Sequence, residues 1–155
     1  MDRRTKVCIL IIVIGLGNFL AYTIMYMFLG GDAMNGYVHV DPADGARHHY
    51  LVAKGVPFEV SGPVWVYSAV HSISIWVTVG AVLLAMLTLA KDRIISSMHS
   101  TVVRGRTFIT ILATIITLTT AVATVYFILI FARKLAQPKA APPTPATQVT
   151  ARSWR

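Results

Sequence analysis

His71 is the only histidine inside a long apolar stretch of this sequence, and Tyr67 and Ser74 stand about one helical turn to either side of it. On a helix, Tyr67, His71, Ser74 and Thr78 form a semi-polar stripe along one face. An imidazole at membrane depth is a candidate site by default. When neutral it can ligate a haem iron or a chlorophyll magnesium, or bond a quinone oxygen, with Tyr67 and Ser74 as its supporting groups. A transmembrane haem asks for a second axial ligand, and His39, His48, His49 and His99 all fall outside the apolar stretches. The simpler role for His71 is a bond to a loop carbonyl or a serine that fixes a loop onto the helix.

A second constellation is His48-His49, with His39, Asp41 and Asp44 nearby, all capable zinc or copper ligands. Their spacing fits no standard metal motif, and adjacent histidines on a strand point to opposite faces. The sequence has no nucleophile elbow, phosphate loop, His-Glu-x-x-His helix or paired intramembrane carboxylates. An independent enzyme is therefore not expected. Cys8 is the single cysteine, which excludes an intrachain disulfide and a thiolate cluster.

The elements that would position these groups are three apolar runs, Val7 to Leu29, Val64 to Ala90 and Phe108 to Ala132, without an acidic or basic side chain in any of them. About 20 apolar helical residues cross a hydrocarbon core of roughly 30 Å, so all three can span. The expected fold is an all-α membrane protein with one domain over residues 1–136. Its spans are 7–29, 64–90 and 108–132, with an external loop over 30–63 and a cytoplasmic loop over 91–107. Ser61-Gly62-Pro63 opens the second helix with a capping serine and a first-turn proline. Within the long loop, Tyr37 to Val40 and His49 to Val52 flank Asp41-Pro-Ala-Asp-Gly and can pair as a small hairpin. Residues 137–155 form a basic tail rich in proline and alanine, with no periodic apolar face.

Met1 to Lys6 followed by an apolar run resembles a signal peptide, with Gly31-Asp32-Ala33 as a passable cleavage site. The run is longer than the usual h-region, which points to a retained span.

Small residues mark expected packing faces: Gly17 and Ala21 on the first helix beside Asn18, and Thr110, Thr114, Thr117 and Thr124 on the third. The formal charge of +8 comes from bases beside helix ends, suited to anionic lipid headgroups, and nucleic acid is not an expected partner. The long loop carries Asp32, Asp41, Asp44 and Glu59 against two bases. That balance places the N-terminus and the 91–107 loop in the cytoplasm, and the long loop and C-terminus outside.

The run Gly30-Gly-Asp-Ala-Met-Asn-Gly, then His49-Tyr-Leu, Lys54-Gly, Glu59-Val-Ser, Val64-Trp-x-Tyr-Ser and His71 resembles a pattern in small uncharacterised bacterial integral membrane proteins. The resemblance covers roughly residues 30–71 and implies no activity. It implies that the loop and the start of the second helix form one unit, with Asp32, Asn35, Glu59, Tyr67 and His71 as its polar set.

The function expected from all this is an accessory subunit of a larger bacterial inner-membrane complex, respiratory, photosynthetic or substrate-oxidising. It would bind partner helices and lipid, and the sequence assigns no particular cofactor. The alternatives are a cofactor protein built on His71 and an external metal site built on His48 and His49.

Overall fold

A computed structural model of the chain describes residues 2–97 and 105–138. Three helices, α1 (Arg3–Leu29), α2 (Gly62–Ser97) and α3 (Gly105–Ala136), are each long and apolar enough to cross a membrane. At 1.5 Å per residue they measure about 40, 54 and 48 Å, all longer than a hydrocarbon core. Three such helices mark a multi-pass membrane protein. Helix continues through Lys91–Ser97 and resumes at Gly105, so much of the stretch expected as a 91–107 loop is helical. The tail beyond Pro138 lies outside the described residues.

The architecture departs from all-α. Three strands, β1 (Asp32–Val40), β2 (Arg47–Ala53) and β3 (Val56–Val60), form an antiparallel sheet in the order β1-β2-β3. The expected hairpin is β1 with β2, pairing Tyr37 with Tyr50, Val38 with His49 and His39 with His48. In its turn, Asp41 and Asp44 accept the Ala43 and Ala46 N–H groups at 2.8 Å, the local bonding that makes aspartate a turn residue. β3 lies outside that expectation. It is an edge strand, where Pro57 is tolerated because one side of the ladder needs no donor.

One irregularity sets up everything below. Asp32 pairs with Val52 but Tyr37 pairs with Tyr50, so β1 advances five residues while β2 advances two. The surplus is a bulge, which leaves backbone groups of β1 without ladder partners. Gly36 sits in it with its Cα pressed towards the Tyr50 carbonyl, where a Cβ has no room.

The core lies where the sheet meets the helix ends. Ala33, Val38, Leu51, Trp65 and Ala69 form one buried cluster, joined by Leu29, Val60 and Phe131. Trp65 is fully buried and stacks on Phe131 with ring centroids 5.0 Å apart. Side chains of this size contribute about 1.5–3 kcal/mol each when fully buried. α1, α2 and α3 are thereby pinned to the same sheet.

Between the helices, α2 is the spine. It packs on α1 and on α3, which make no comparable contact with each other. The close approaches are Gly15 of α1 against Val82 and Thr78, and Gly80 of α2 against Thr120 of α3. The faces expected from sequence lie elsewhere within this chain. Gly17 is about 200° round the helix from Gly15, so a Cβ there would meet nothing within 4 Å, and Ala21 is exposed too. Thr110, Thr114 and Thr117 are exposed and donate back to the carbonyls of Arg106, Thr110 and Ala113. Thr124 is half-buried, with a hydroxyl that has no partner. Asn18, by contrast, finds its partners across the α1–α2 seam, donating to Thr78 at 2.9 Å and Ser74 at 3.4 Å.

Candidate functional site

α1 ends at Gly30 in the left-handed conformation (φ 69°) that glycine adopts without a Cβ penalty. The chain turns there and delivers Asp32 directly beneath the α1–α2 seam. Asp32 is only 6% exposed. Its Oδ1 accepts the Ser72 hydroxyl at 2.8 Å and the Met34 N–H at 2.9 Å, and its Oδ2 accepts the Tyr22 hydroxyl at 3.1 Å. A buried carboxylate is tolerable only when its lone pairs are met in this way. Ser68, one turn before Ser72, accepts the Ala33 N–H at 3.2 Å. The Ser72 hydroxyl also faces the Ser68 carbonyl at 2.9 Å, so its proton is shared between two acceptors.

The opposite side of the same segment is held by α3. Lys134 Nζ donates to the carbonyls of Ala33 (3.2 Å), Met34 and Gly36 (2.8 Å). An ammonium with three donors meets three acceptors freed by the bulge. Every helix therefore contributes a polar side chain to one short stretch of β1: Tyr22 from α1, Ser68 and Ser72 from α2, and Lys134 from α3.

His71 borders this network without joining it by a hydrogen bond. Its ring lies edge-on to Tyr22 (5.4 Å) and to Tyr67 (5.5 Å). Tyr67 thus stands beside His71, whereas Ser74 does not serve the ring: its hydroxyl donates to the His71 backbone carbonyl at 2.7 Å. The space beside His71, bordered by Tyr22, Tyr26, Tyr67, Ser68 and Gly31, is about 10 Å³. That is the room one water needs.

Across the sheet, strand alternation separates the two adjacent histidines. His49 faces the core and packs its ring on Trp65, with centroids 5.5 Å apart. His48 lies on the far face, stacked on His39, with Nδ1 2.7 Å from Glu59 Oε1. They cannot ligate one ion together, and among the described residues no group of three or more His, Cys, Asp or Glu side chains is placed to hold a metal. The bond to Glu59 holds the His48 imidazole above the ordinary histidine value of 6.5. On the same face, burial pushes the stacked phenols of Tyr37 and Tyr50 above 10.0, with the Glu59 charge adding to the effect at Tyr50. Asn35 is exposed, apart from the buried Asp32, and Glu59 is exposed on β3.

The sequence names Asp32, Tyr67 and His71 and carries Ser68 only within a motif, and it gives no site role to Ser72 or Lys134. The i, i+4 serines were a visible signal, since two hydroxyls one turn apart on a membrane helix must bond something. Lys134 reads from sequence as one more interfacial base.

No protein family, curated protein or solved structure matches the chain.

Proposed function

We propose that the protein is a non-catalytic accessory subunit of a larger bacterial inner-membrane assembly, a three-helix anchor that holds a folded sheet at one membrane face. The observation that carries this reading is the polar joint at Asp32. Its buried groups are bonded to one another and to β1 backbone, which fits a structural role in fixing the sheet to all three helices. The open helix layer supports the same reading, because α1 and α3 each keep an apolar flank on which partner helices and lipid can pack. The exposed Gly17, Ala21, Thr110, Thr114 and Thr117 are the small residues such docking favours.

Charge supports an orientation with the sheet and the C-terminus outside and the N-terminus in the cytoplasm. The end opposite the sheet carries Arg3, Arg4, Lys6, Lys91, Arg93 and Arg106 against Asp2 and Asp92. The sheet end balances Arg47, Lys54, Arg133 and Lys134 against Asp32, Asp41, Asp44 and Glu59. The likeness of residues 30–71 to small bacterial membrane proteins agrees with the sheet and the start of α2 acting as one unit.

The test is gentle solubilisation of native membranes, capture of a tagged copy, and native electrophoresis, mass spectrometry and a visible spectrum on the same eluate. Stoichiometric recovery with other integral membrane subunits is the expected result. A lone, small oligomer would overturn it.

A further inference from the structure

At the end of the helix layer away from the sheet, α1 and α2 part to leave a groove of about 410 Å³ lined by Asp2, Arg3, Arg4, Val7, Cys8 and Thr88. Its rim is charged and its floor is not. Arg3 and Arg4 are exposed, while Cys8 beneath them is 8% exposed. The Thr88 hydroxyl is turned back onto the Leu84 carbonyl at 2.7 Å, so its proton is satisfied within α2.

The position of the groove follows from the antiparallel α1–α2 seam. Asn18 meets Thr78, Gly15 meets Val82, and Cys8 borders the same groove as Thr88. Continuing that register brings the first turn of α1 level with Lys91 and Arg93. Gly105, pressed against Ile95, brings Arg106 to the same level. The groove therefore opens among bases that outnumber Asp2 and Asp92, and its floor begins at Val7, beyond which α1 carries no charged side chain.

We propose that this groove binds one anionic phospholipid, its phosphate between Arg3 and Arg4 and one acyl chain over Val7, Cys8 and Thr88. Guanidinium forks match phosphate oxygens, and basic pockets between membrane helices suit anionic headgroups. A free phosphate would satisfy the rim and leave the apolar floor wet. A zwitterionic lipid would cover the floor but bring no net charge to the arginines. The proposal rests on the membrane-spanning part of the reading above and is independent of the partner complex.

The experiment uses the full chain, purified in mild detergent and stripped of lipid, with Val7→Cys in a Cys8→Ser background as its single thiol reporter, because Cys8 is buried whereas Val7 is exposed. Dioleoyl phosphatidylglycerol, dioleoyl phosphatidylcholine, inorganic phosphate and a polyglutamate peptide are titrated separately. Native mass spectrometry counts bound lipid, and the rate of alkylation of the Val7→Cys thiol by a small maleimide reports cover over the floor. Phosphatidylglycerol should be retained at one per chain and should slow alkylation, with little effect from the other three. Arg3→Gln and Arg4→Gln should each weaken it about fivefold, while the lysine variants keep most of the binding and Lys54→Gln changes nothing. Thr88→Trp, which fills the floor but keeps the charges, should abolish binding in a chain of unchanged helicity. Equal protection by phosphatidylcholine, protection by phosphate or peptide alone, or undiminished binding in the Arg3→Gln/Arg4→Gln pair would overturn the site. Loss of the chain from membranes on alkaline washing would instead overturn the membrane reading itself.

Discussion

Replacing Asp32 with alanine should free β1 from the helix ends, and the structure sets the size of the effect. Three donors lose their acceptor: the Ser72 and Tyr22 hydroxyls and the Met34 N–H. Ser72 keeps the Ser68 carbonyl, so two donors are left to pay for. Both are only part-buried, so each costs about 1 kcal/mol, the low end of the range for an unmet buried donor. Part of that is offset because a charge no longer has to be buried. The net expected loss is about 2 kcal/mol. Asp32→Asn keeps the shape and one acceptor oxygen and should lose about 1 kcal/mol. Tyr22→Phe removes one bond to a charged group, worth about 1.5 kcal/mol or more. The Asp32→Ala/Tyr22→Phe double variant should then fall short of additivity by about 1 kcal/mol, since both changes break the same bond. Unfolding in micelles followed by tryptophan fluorescence reads the energies. Hydrogen exchange at the Ala33 and Met34 amides reads whether β1 has opened. A loss under about 1 kcal/mol with both amides still protected would refute the claim that Asp32 joins the sheet to the helices.

Lys134→Met leaves three bulge carbonyls without their ammonium and should lose about 2 kcal/mol, with faster exchange confined to β1, measured in the same two ways. Gly80→Val drives a side chain into Thr120 and should cost about 2 kcal/mol in micelle unfolding, whereas Gly17→Val, with open space before it, should stay within about 0.5 kcal/mol. Trp65 buries an Nε1–H that has no partner, so Trp65→Phe keeps the stack on Phe131 and should be near neutral, while Trp65→Ala should cost about 3–5 kcal/mol. Because the fold raises the His48 imidazole, the contribution of its pair with Glu59 is fully present below pH 6.5 and fades as pH rises through the higher folded value. Glu59→Gln should return the His48 titration, followed by NMR, towards 6.5.

The helices were legible because uncharged runs of this length have few alternatives in water or lipid. The hairpin was legible because Asp41-Pro-Ala-Asp-Gly separates two β-prone segments. β3 was hidden by Pro57, which argues against a central strand and says nothing against an edge. The packing faces were hidden for a different reason. Gly15 and Gly17 are equally small, and only the tertiary contact decides that the first meets α2 and the second does not. The same holds at the candidate site. Tyr67 and His71 drew notice as a dyad on one helix, but the network forms around Asp32, whose partners are 10 and 40 residues away in sequence. No spacing rule reaches across that distance.

The bulge in β1 explains why those distant residues meet. Because β1 is an edge strand, a regular ladder would have bonded only alternate residues of 33–36 to β2 and offered the helices every other peptide unit. Breaking the register turns consecutive peptide units outward with a common polarity. The N–H groups of Ala33 and Met34 face Ser68 and the Asp32 carboxylate, and the carbonyls of Ala33, Met34 and Gly36 face Lys134. An anion and hydroxyls thus stand on the donor side and a cation on the acceptor side, each arranged to favour the dipoles between them. Because the two sides come from different helices, the sheet can keep this geometry only while α1, α2 and α3 hold their relative positions. The joint therefore couples the sheet to the layer beneath it, so a partner helix that displaced α3 along α2 would be felt first at β1.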